Sequence, residues 1–164
     1  MSKIRIGHGY DVHALATGSQ LRLGGIDISH TKGIEAHSDG DVVVHAVCDA
    51  LLGAAALGDI GIHFPDTSSE FKGIDSMELL RRTVVLLEKD GYEIGNIDIT
   101  IAAQAPKLSP YTPAMRSRIA DVTGIGEEKV SIKATTTEHL GFVGREEGIE
   151  AFAVVLIEEH QKEY

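Results

Sequence analysis

The sequence predicts one domain of the α+β or α/β class, with helices packed on a single sheet. Its 164 residues suffice for one sizeable hydrophobic core. Segments with strand periodicity interleave with segments of helical periodicity, as expected when helices cover a sheet. Hydrophobic residues make up 43% of the chain, but aromatic residues only 5%, so Val, Ile, Leu and Ala must fill the core. No repeat or Pro/Ser-rich linker divides the sequence, and we treat residues 1–164 as a single domain.

Alternating or β-branched apolar residues predict four strands. These cover residues 4–13, 96–102, 129–134 and 150–157. Leu21–Leu23, followed by Gly24 and Gly25, predicts a short strand and a turn. We expect this short strand to form a hairpin with the first one.

Three segments predict helices. The run from Asp41 to about Leu57 is so apolar that most of its circumference should be buried. Ser38 is a candidate N-cap for this helix, with Asp39 and Asp41 in the first turn, where the helix dipole favours acids. The other two helices are predicted at 76–89, where leucines recur at helical spacing, and at 111–123, between prolines and Gly124.

Composition excludes several classes of function. A net charge of −10 argues against a basic nucleic-acid-binding face. No apolar run approaches the roughly 20 residues that span a bilayer, so we expect no membrane partner. The single cysteine excludes an intrachain disulfide, and with no apolar leader at the N-terminus the default expectation is a cytoplasmic protein.

Asp11, His13 and His45 suggest a metal site. Asp11 and His13 are two residues apart, so on a strand both side chains leave the same face, about 6.6 Å apart along the chain. His45 lies in the most apolar helix, where an unpaired imidazole is costly to bury. One interpretation is a core histidine satisfied by a nearby acid such as Asp41 or Asp49. The other, which does not exclude the first, is a third metal ligand that such an acid orients. Two histidines and an aspartate with an open fourth position would make a catalytic type of zinc site.

Other motifs favour phosphate chemistry. His37 and Ser38 precede a helix, whose N-terminus attracts anions. Residues 135–138 place three threonines and a glutamate at a strand end, and these groups suit phosphate oxygens and a hard divalent cation. Lys107 and Arg145, in Gly/Pro-containing loops, supply local positive charge. The P-loop and dinucleotide fingerprints are both lacking.

Taken in order, these motifs resemble the 2-C-methyl-D-erythritol 2,4-cyclodiphosphate synthase family of the non-mevalonate isoprenoid pathway. The similarity extends over GHGYDVH, AHSDGDVVVHAVCDALLGAAALGDIG with HFPD, DITIAAQAPKL and IKATTTEHLGFVGREEGI. It implies an α+β domain with mainly a four-stranded mixed sheet, an extra hairpin and helices on one face. It also implies a homotrimer with active sites between subunits.

The resemblance assigns roles to individual residues. It makes Asp11, His13 and His45 the ligands of one Zn²⁺ per subunit, and Glu138 a ligand of a second divalent ion, Mg²⁺ or Mn²⁺, that bridges the diphosphate. His37 and Thr136 match the residues that stabilise the transition state. The implied substrate-binding residues are Ser38, Asp59, Ile60, Gly61, Phe64, Pro65, Asp66, Thr67, Ser68, Ala103, Gln104, Ala105, Pro106, Lys107, Leu108, Ser109, Thr135, Thr137, Phe142 and Arg145.

The implied reaction is an intramolecular cyclisation of a CDP-linked methylerythritol 2-phosphate, with release of CMP. The 2-phosphate nucleophile is already anionic, so catalysis needs positioning and charge neutralisation rather than a strong base. Two alternatives use the same residues. A zinc phosphohydrolase would employ a metal-bound water as nucleophile, and a non-catalytic trimeric scaffold would keep the histidines for structure only.

Overall fold

A five-stranded mixed sheet forms the centre of the fold in the computed structural model, which describes residues 3–35, 39–65, 67–71 and 73–160. The strands are β1 (Ile4–Thr17), β2 (Leu21–Leu23), β3 (Ile26–Ile28), β4 (Lys32–Ile34), β5 (Tyr92–Ala102), β6 (Val130–Thr135) and β7 (Gly148–Glu159). Their order in the main sheet is β4-β1-β7-β5-β6, with β5 and β6 parallel and the other neighbours antiparallel. The α+β class is therefore confirmed.

Two details of the sheet differ from the prediction. The sheet has five strands rather than four, because β4 pairs with the end of β1 at Leu15–Thr17. A three-residue strand is too short to produce a recognisable period in the sequence. The predicted hairpin between 4–13 and 21–23 is also wrong, since Leu21–Leu23 turns at Gly24 and Gly25 and pairs with β3 instead.

The helices pack on one face of this sheet. They are α1 (Val42–Ala54), α2 (Ile60–His63), α3 (Ser76–Lys89), α4 (Thr112–Thr123) and α5 (Gly141–Gly144), with a 3₁₀ turn at Glu127–Lys129. Helix α1 contacts β1 and β7 and is covered by α3, which explains why nearly its whole surface is buried. Helix α4 ends at Gly124, whose φ of 72° suits a glycine C-cap.

The N-cap of α1 is Asp41 rather than the predicted Ser38, which lies outside the described residues. Asp41 is fully buried and accepts hydrogen bonds from the backbone N–H groups of Val44, Gly24 and Gly25, at 3.1, 2.8 and 2.6 Å. Burial raises its pKa to about 6, although these three donors oppose the shift. One carboxylate therefore caps the helix and holds the β2–β3 turn against it.

The opposite face of the sheet exposes apolar side chains to solvent. Ile4, Ile6, Tyr10 and Val12 of β1 are 57%, 70%, 44% and 40% exposed, and Val154 of β7 is 43% exposed. The β1–β7 register places them on one continuous surface with Phe152 and Leu156. We call this the open sheet face. Among the described residues, no helix has the length and apolar composition needed to cross a membrane.

Candidate metal centre and neighbouring cavity

Glycines at two positions of β1 let α1 lie unusually close to the sheet. A Cβ atom on Gly7 would come within 1.8 Å of the Ala50 carbonyl oxygen, and one on Gly9 within 1.9 Å of the Ala46 carbonyl oxygen. Only a residue without a side chain fits in either place. The two glycines of GHGYDVH therefore bring the helix that carries His45 onto the strand that carries Asp11 and His13.

The three predicted zinc ligands meet at this contact. Asp11 Oδ2 lies 3.0 Å from His45 Nδ1 and 3.2 Å from His13 Nε2, and the two imidazole nitrogens are 3.4 Å apart. Asp11 and His13 share the helix-covered face of β1, as their spacing predicts. Strand and helix thus turn three potential ligand atoms toward one point.

Charge at this cluster favours an ionised aspartate. Burial opposes ionisation of Asp11, but hydrogen bonds and charge from His13 and His45 outweigh it and hold its pKa at about 2. Burial likewise opposes protonation of His45, and the nearby carboxylates of Asp11, Asp41 and Asp39 outweigh that effect and raise its pKa. The cluster therefore concentrates negative charge that a cation would neutralise.

The donor set and its dimensions fit zinc. With Zn–N and Zn–O distances of about 2.0–2.1 Å, neighbouring ligand atoms of a tetrahedral ion lie about 3.3 Å apart. The three separations of 3.0–3.4 Å match one face of such a tetrahedron. Two imidazoles and a carboxylate can bind zinc and leave the fourth position open.

The carboxylates expected to partner His45 do not contact it. Asp41 caps α1, and Asp49 accepts a hydrogen bond from the backbone N–H of Ile60 at 2.8 Å. The imidazole Nε2 instead lies 3.0 Å from Ser76 Oγ at the start of α3. Sequence reasoning missed Ser76, because only the packing of α3 on α1 brings it near His45.

A second feature is a cavity of about 280 Å³ at the ends of β5 and β6. It is lined by Ala103, Gln104, Pro106, Lys107, Leu108, Ser109, Thr112, Ile132, Ala134, Thr135 and Thr136. Most of the segment 103–109, which the resemblance assigns to substrate binding, lines it, although Ala105, whose peptide bond to Pro106 is cis, does not. The lining combines apolar surface with hydroxyls and one lysine.

The cavity and the metal cluster lie at the same end of the sheet. In the register of the sheet, Asp11 of β1 is paired with Ala151 of β7, and Ala151 is paired with Ile101 of β5. Ile101 is in turn paired with Ala134 of β6. Adjacent strands are about 4.8 Å apart, so β1 and β6 are separated by about 14 Å at this level. The metal cluster and the cavity, whose residues together span more than a hundred positions of the sequence, therefore lie at the same end of the sheet.

The segment that follows β6 turns sharply at this end of the sheet. Glu138 and His139 have positive φ angles of 52° and 62°, which side-chain-bearing residues seldom adopt. The His139 N–H donates to Gln104 Oε1 at 3.1 Å, and Thr137 Oγ1 donates to the Leu140 carbonyl at 2.7 Å. Gln104 thus connects the turn to the cavity loop. Glu138 is exposed, and its Oε1 accepts from the hydroxyl of Thr136, a lining residue of the cavity, at 3.3 Å.

Two further predicted binding residues follow this turn. Phe142 is 37% exposed and packs near Gly148. Arg145 is exposed and forms a two-point ion pair with Glu147, with both N–O distances 3.0 Å. Both side chains are therefore accessible.

The loop at 59–68, most of whose residues the resemblance assigns to substrate binding, begins with the short helix α2. Asp59 caps α2 by accepting a hydrogen bond from the N–H of Ile62 at 3.1 Å. The N–H of the next residue, Ile60, donates to Asp49. His63 Nε2 lies 2.8 Å from the Leu57 carbonyl oxygen, which gives this histidine a partner within the loop. Gly61 is exposed within α2.

Beyond α2, Phe64 packs edge-on against Phe71, with ring centroids 5.6 Å apart. The N–H of Ser68 donates to the Pro65 carbonyl at 3.0 Å, and Thr67 between them is exposed. Asp66, like His37 and Ser38, lies outside the described residues.

Known proteins resemble this chain along nearly its whole length. The model of the YgbB family matches residues 4–158. A 2-C-methyl-D-erythritol 2,4-cyclodiphosphate synthase from Thioalkalivibrio sulfidiphilus is 63% identical over 158 residues, covering 96% of this chain and 99% of the relative. A synthase of the same name from Parabacteroides distasonis is 61% identical, covering 95% and 97%.

Solved structures show the same fold. IspF from Plasmodium falciparum, determined as a CDP complex, has a TM-score of 0.86 at 36% identity, with 98% of this chain and 99% of that chain covered. The bifunctional IspDF from Campylobacter jejuni has a TM-score of 0.94 at 45% identity. In that case the match covers 98% of this chain and 44% of the longer protein.

Proposed function

The chain belongs to the YgbB family, and we propose from that premise how its residues carry out the family reaction. It converts 4-diphosphocytidyl-2-C-methyl-D-erythritol 2-phosphate to 2-C-methyl-D-erythritol 2,4-cyclodiphosphate and CMP, in isoprenoid precursor biosynthesis. An oxygen of the 2-phosphate attacks the β-phosphorus of the CDP unit. The bond from that phosphorus to the oxygen of the CMP phosphate breaks as the ring closes.

The metal site is the observation that carries the proposal. We assign Asp11, His13 and His45 as ligands of one zinc ion per subunit, because their ligand atoms have the separations of one tetrahedral face. When bound, zinc supplies Lewis-acid polarisation of a phosphate oxygen and a template for the diphosphate. We assign Glu138, exposed beside Thr136 of the cavity lining, to a second divalent ion, Mg²⁺ or Mn²⁺, because such ions bind phosphates together with carboxylates.

The protein groups around the cavity position the rest of the substrate. Backbone and side-chain groups of residues 103–109 bind the cytidine unit in the 280 Å³ cavity. The hydroxyls of Thr135 and Thr136 at the end of β6 reach the diphosphate, with Thr137 in the same turn. Lys107 and Arg145 reduce the repulsion between the two anionic phosphate groups as they approach.

The methylerythritol phosphate end of the substrate is bound by residues 59–61 and 64–68 together with His37 and Ser38. His37 and Thr136 stabilise the transition state, and Phe142 helps to exclude water from the site. Water attacking the β-phosphorus would hydrolyse the substrate instead of closing the ring. The enzyme is thus a metal-dependent phosphorus–oxygen lyase.

We further propose a homotrimer with active sites between subunits. The open sheet face supports it, because large apolar residues left in water on a continuous surface favour burial against another copy. The cytoplasmic location stays a prediction from the sequence.

The test is to incubate the purified protein with the CDP substrate and Mg²⁺ and to follow the products by phosphorus NMR. The expected result is cyclic diphosphate and CMP from the wild type. His13→Ala should lose bound zinc and activity together, whereas His160→Ala, an exposed histidine on the tail of β7, serves as the matched control and should keep both. A linear product from the wild type would instead support the phosphohydrolase, and unchanged zinc content in His13→Ala would refute the ligand assignment.

A further inference from the structure

We propose that Asp39 and Ser76 act as positioning residues for the metal centre. They form a hydrogen-bonded relay that fixes the tautomer and orientation of the His45 ring and so determines how tightly the site holds its metal. This inference rests on the proposed metal site and adds two residues to which the proposed function assigns no part. Neither residue touches the ligand atoms of the site directly.

The relay is continuous from ring to carboxylate. His45 Nε2 lies 3.0 Å from Ser76 Oγ, and Ser76 Oγ donates a short hydrogen bond to Asp39 Oδ1. The Ser76 backbone N–H donates to the other oxygen, Asp39 Oδ2, at 2.8 Å. The carboxylate therefore holds the serine at two points and leaves its hydroxyl one orientation.

Hydrogen-bonding capacity fixes the direction of each step. An ionised carboxylate only accepts hydrogen bonds, and a hydroxyl has one proton to donate. Because the Ser76 proton is directed to Asp39, Ser76 Oγ faces His45 as an acceptor, and His45 Nε2 must carry a proton. In a neutral imidazole the lone pair then resides on Nδ1, the atom that faces Asp11 and His13 at 3.0 and 3.4 Å. The relay thus selects the tautomer that a metal requires.

Further contacts hold the Asp39 carboxylate in place. Besides the two donors of Ser76, it accepts from the Asp41 N–H at 3.3 Å. Arg22 Nε, which is buried, lies 3.7 Å from Asp39 Oδ2 and places a positive charge beside it. Arg22 is itself held by Asp27 and Asp75, at 3.2 and 3.4 Å.

Burial makes the relay rigid. Ser76 is 0% exposed and His45 is 7% exposed, so water does not compete freely for the link between them. Ser76 is also the first residue of α3, anchored by the N-cap Asp75, whose side chain accepts from the Met77 N–H at 2.8 Å. The packing of α3 on α1 therefore determines the angle of the His45 ring. Outer partners of metal-bound histidines typically affect metal affinity 10–100-fold when removed.

The experiment measures zinc affinity by competition with a chromophoric chelator in the wild type and in three variants. Ser76→Ala removes the link, and Asp39→Asn keeps its shape but removes the charge. Thr83→Ala is the matched control, because Thr83 is a second fully buried hydroxyl of α3 that donates to the Leu79 carbonyl instead. We expect Ser76→Ala to bind zinc at least about 10-fold more weakly, Asp39→Asn to weaken binding in the same direction, and Thr83→Ala to stay within about twofold of wild type.

Two additional readouts separate a positioning role from a structural one. The visible spectrum of the Co²⁺-loaded protein should change in Ser76→Ala and not in Thr83→Ala, because only the former alters the ligand geometry. The double variant Ser76→Ala/Asp39→Asn should bind zinc about as weakly as Ser76→Ala alone, since Asp39 acts through Ser76. If Ser76→Ala fails to fold, Asp39→Asn decides the question by the same two measurements.

The outcomes distinguish this inference from the proposed function. A wild type that binds no zinc would overturn both. A wild type that binds zinc while Ser76→Ala and Asp39→Asn bind it as tightly, with unchanged Co²⁺ spectra, would overturn the relay and leave the metal site intact. Equal losses in Thr83→Ala and Ser76→Ala would also overturn it, because the loss would then follow from general loosening of α3.

Discussion

Gly9→Ala should move α1 away from β1, the helix and strand that together form the metal site. The added Cβ would lie 1.9 Å from the Ala46 carbonyl oxygen and 2.7 Å from the Ala50 backbone nitrogen. Reaching even 3.0 Å from that oxygen requires a movement of at least 1.1 Å, the difference between 3.0 and 1.9 Å. Both obstructing atoms belong to the backbone of α1, so no side-chain rotation relieves the contact.

This displacement exceeds what the metal site tolerates. Ala46 is the neighbour of His45, and metal–ligand distances are held within about 0.2 Å. We expect zinc affinity to fall at least about 100-fold, as much as or more than the loss of an outer partner. Overpacking of a close contact typically costs 1–3 kcal/mol, and the rigid obstruction here places Gly9→Ala at about 3 kcal/mol or above.

The assay combines chelator competition for zinc with urea unfolding of the metal-free protein at fixed concentration. Gly53→Ala is the matched control, because Gly53 lies in α1 with no atom within 4 Å of the added Cβ. It should raise the free energy of unfolding by about 0.5–1 kcal/mol and leave zinc affinity unchanged. If Gly9→Ala retained wild-type zinc affinity and stability, the close approach of β1 and α1 would not be what assembles the site.

Three further predictions follow from buried charge, the metal and the open sheet face. Asp41→Ala should destabilise the metal-free protein by about 2 kcal/mol more at pH 4 than at pH 7, because the folded-state pKa of about 6 lies above the unfolded value of 3.8 and the stability that Asp41 contributes is lost as pH rises through this range. Equal urea-unfolding differences at both pH values would contradict this. Removal of zinc by EDTA should lower the melting temperature less at pH 5 than at pH 8, because protons compete with zinc for imidazole ligands, whereas Asp11, with a pKa of about 2, stays ionised at both pH values. A melting shift independent of pH would count against histidine ligands. Val154→Asp should shift the native mass from trimer toward monomer, because it places a charge on the open sheet face. Lys89→Asp, at an exposed position of α3, is the control and should leave the mass unchanged. If the Val154→Asp protein were still a trimer, the open sheet face would not be the interface.

The sequence predicts those parts of the fold that are long and periodic. The helix at 76–89 agrees with α3 to the residue, and the four long strands all lie where alternation or β-branched content places them. Strand β4 and the partner of Leu21–Leu23 were not predictable, because a three-residue strand gains its pairing from tertiary contacts rather than from its own pattern. Strand spacing also places Asp11 and His13 on one face correctly.

The sequence does not show which residues of other helices and strands lie beside the metal site. The local pattern offers Asp41 and Asp49 as partners for His45, since both lie one helical turn away, yet both carboxylates satisfy backbone N–H groups elsewhere. The partner is Ser76, 31 residues along the chain, and it reaches the ring because α3, which packs on α1, begins beside His45. Helical spacing ranks neighbours on the surface of one helix, whereas a buried histidine is satisfied by whichever element covers it. For this reason a close glycine contact on one side of α1 and a helix start on the other together determine how His45 is presented to a metal.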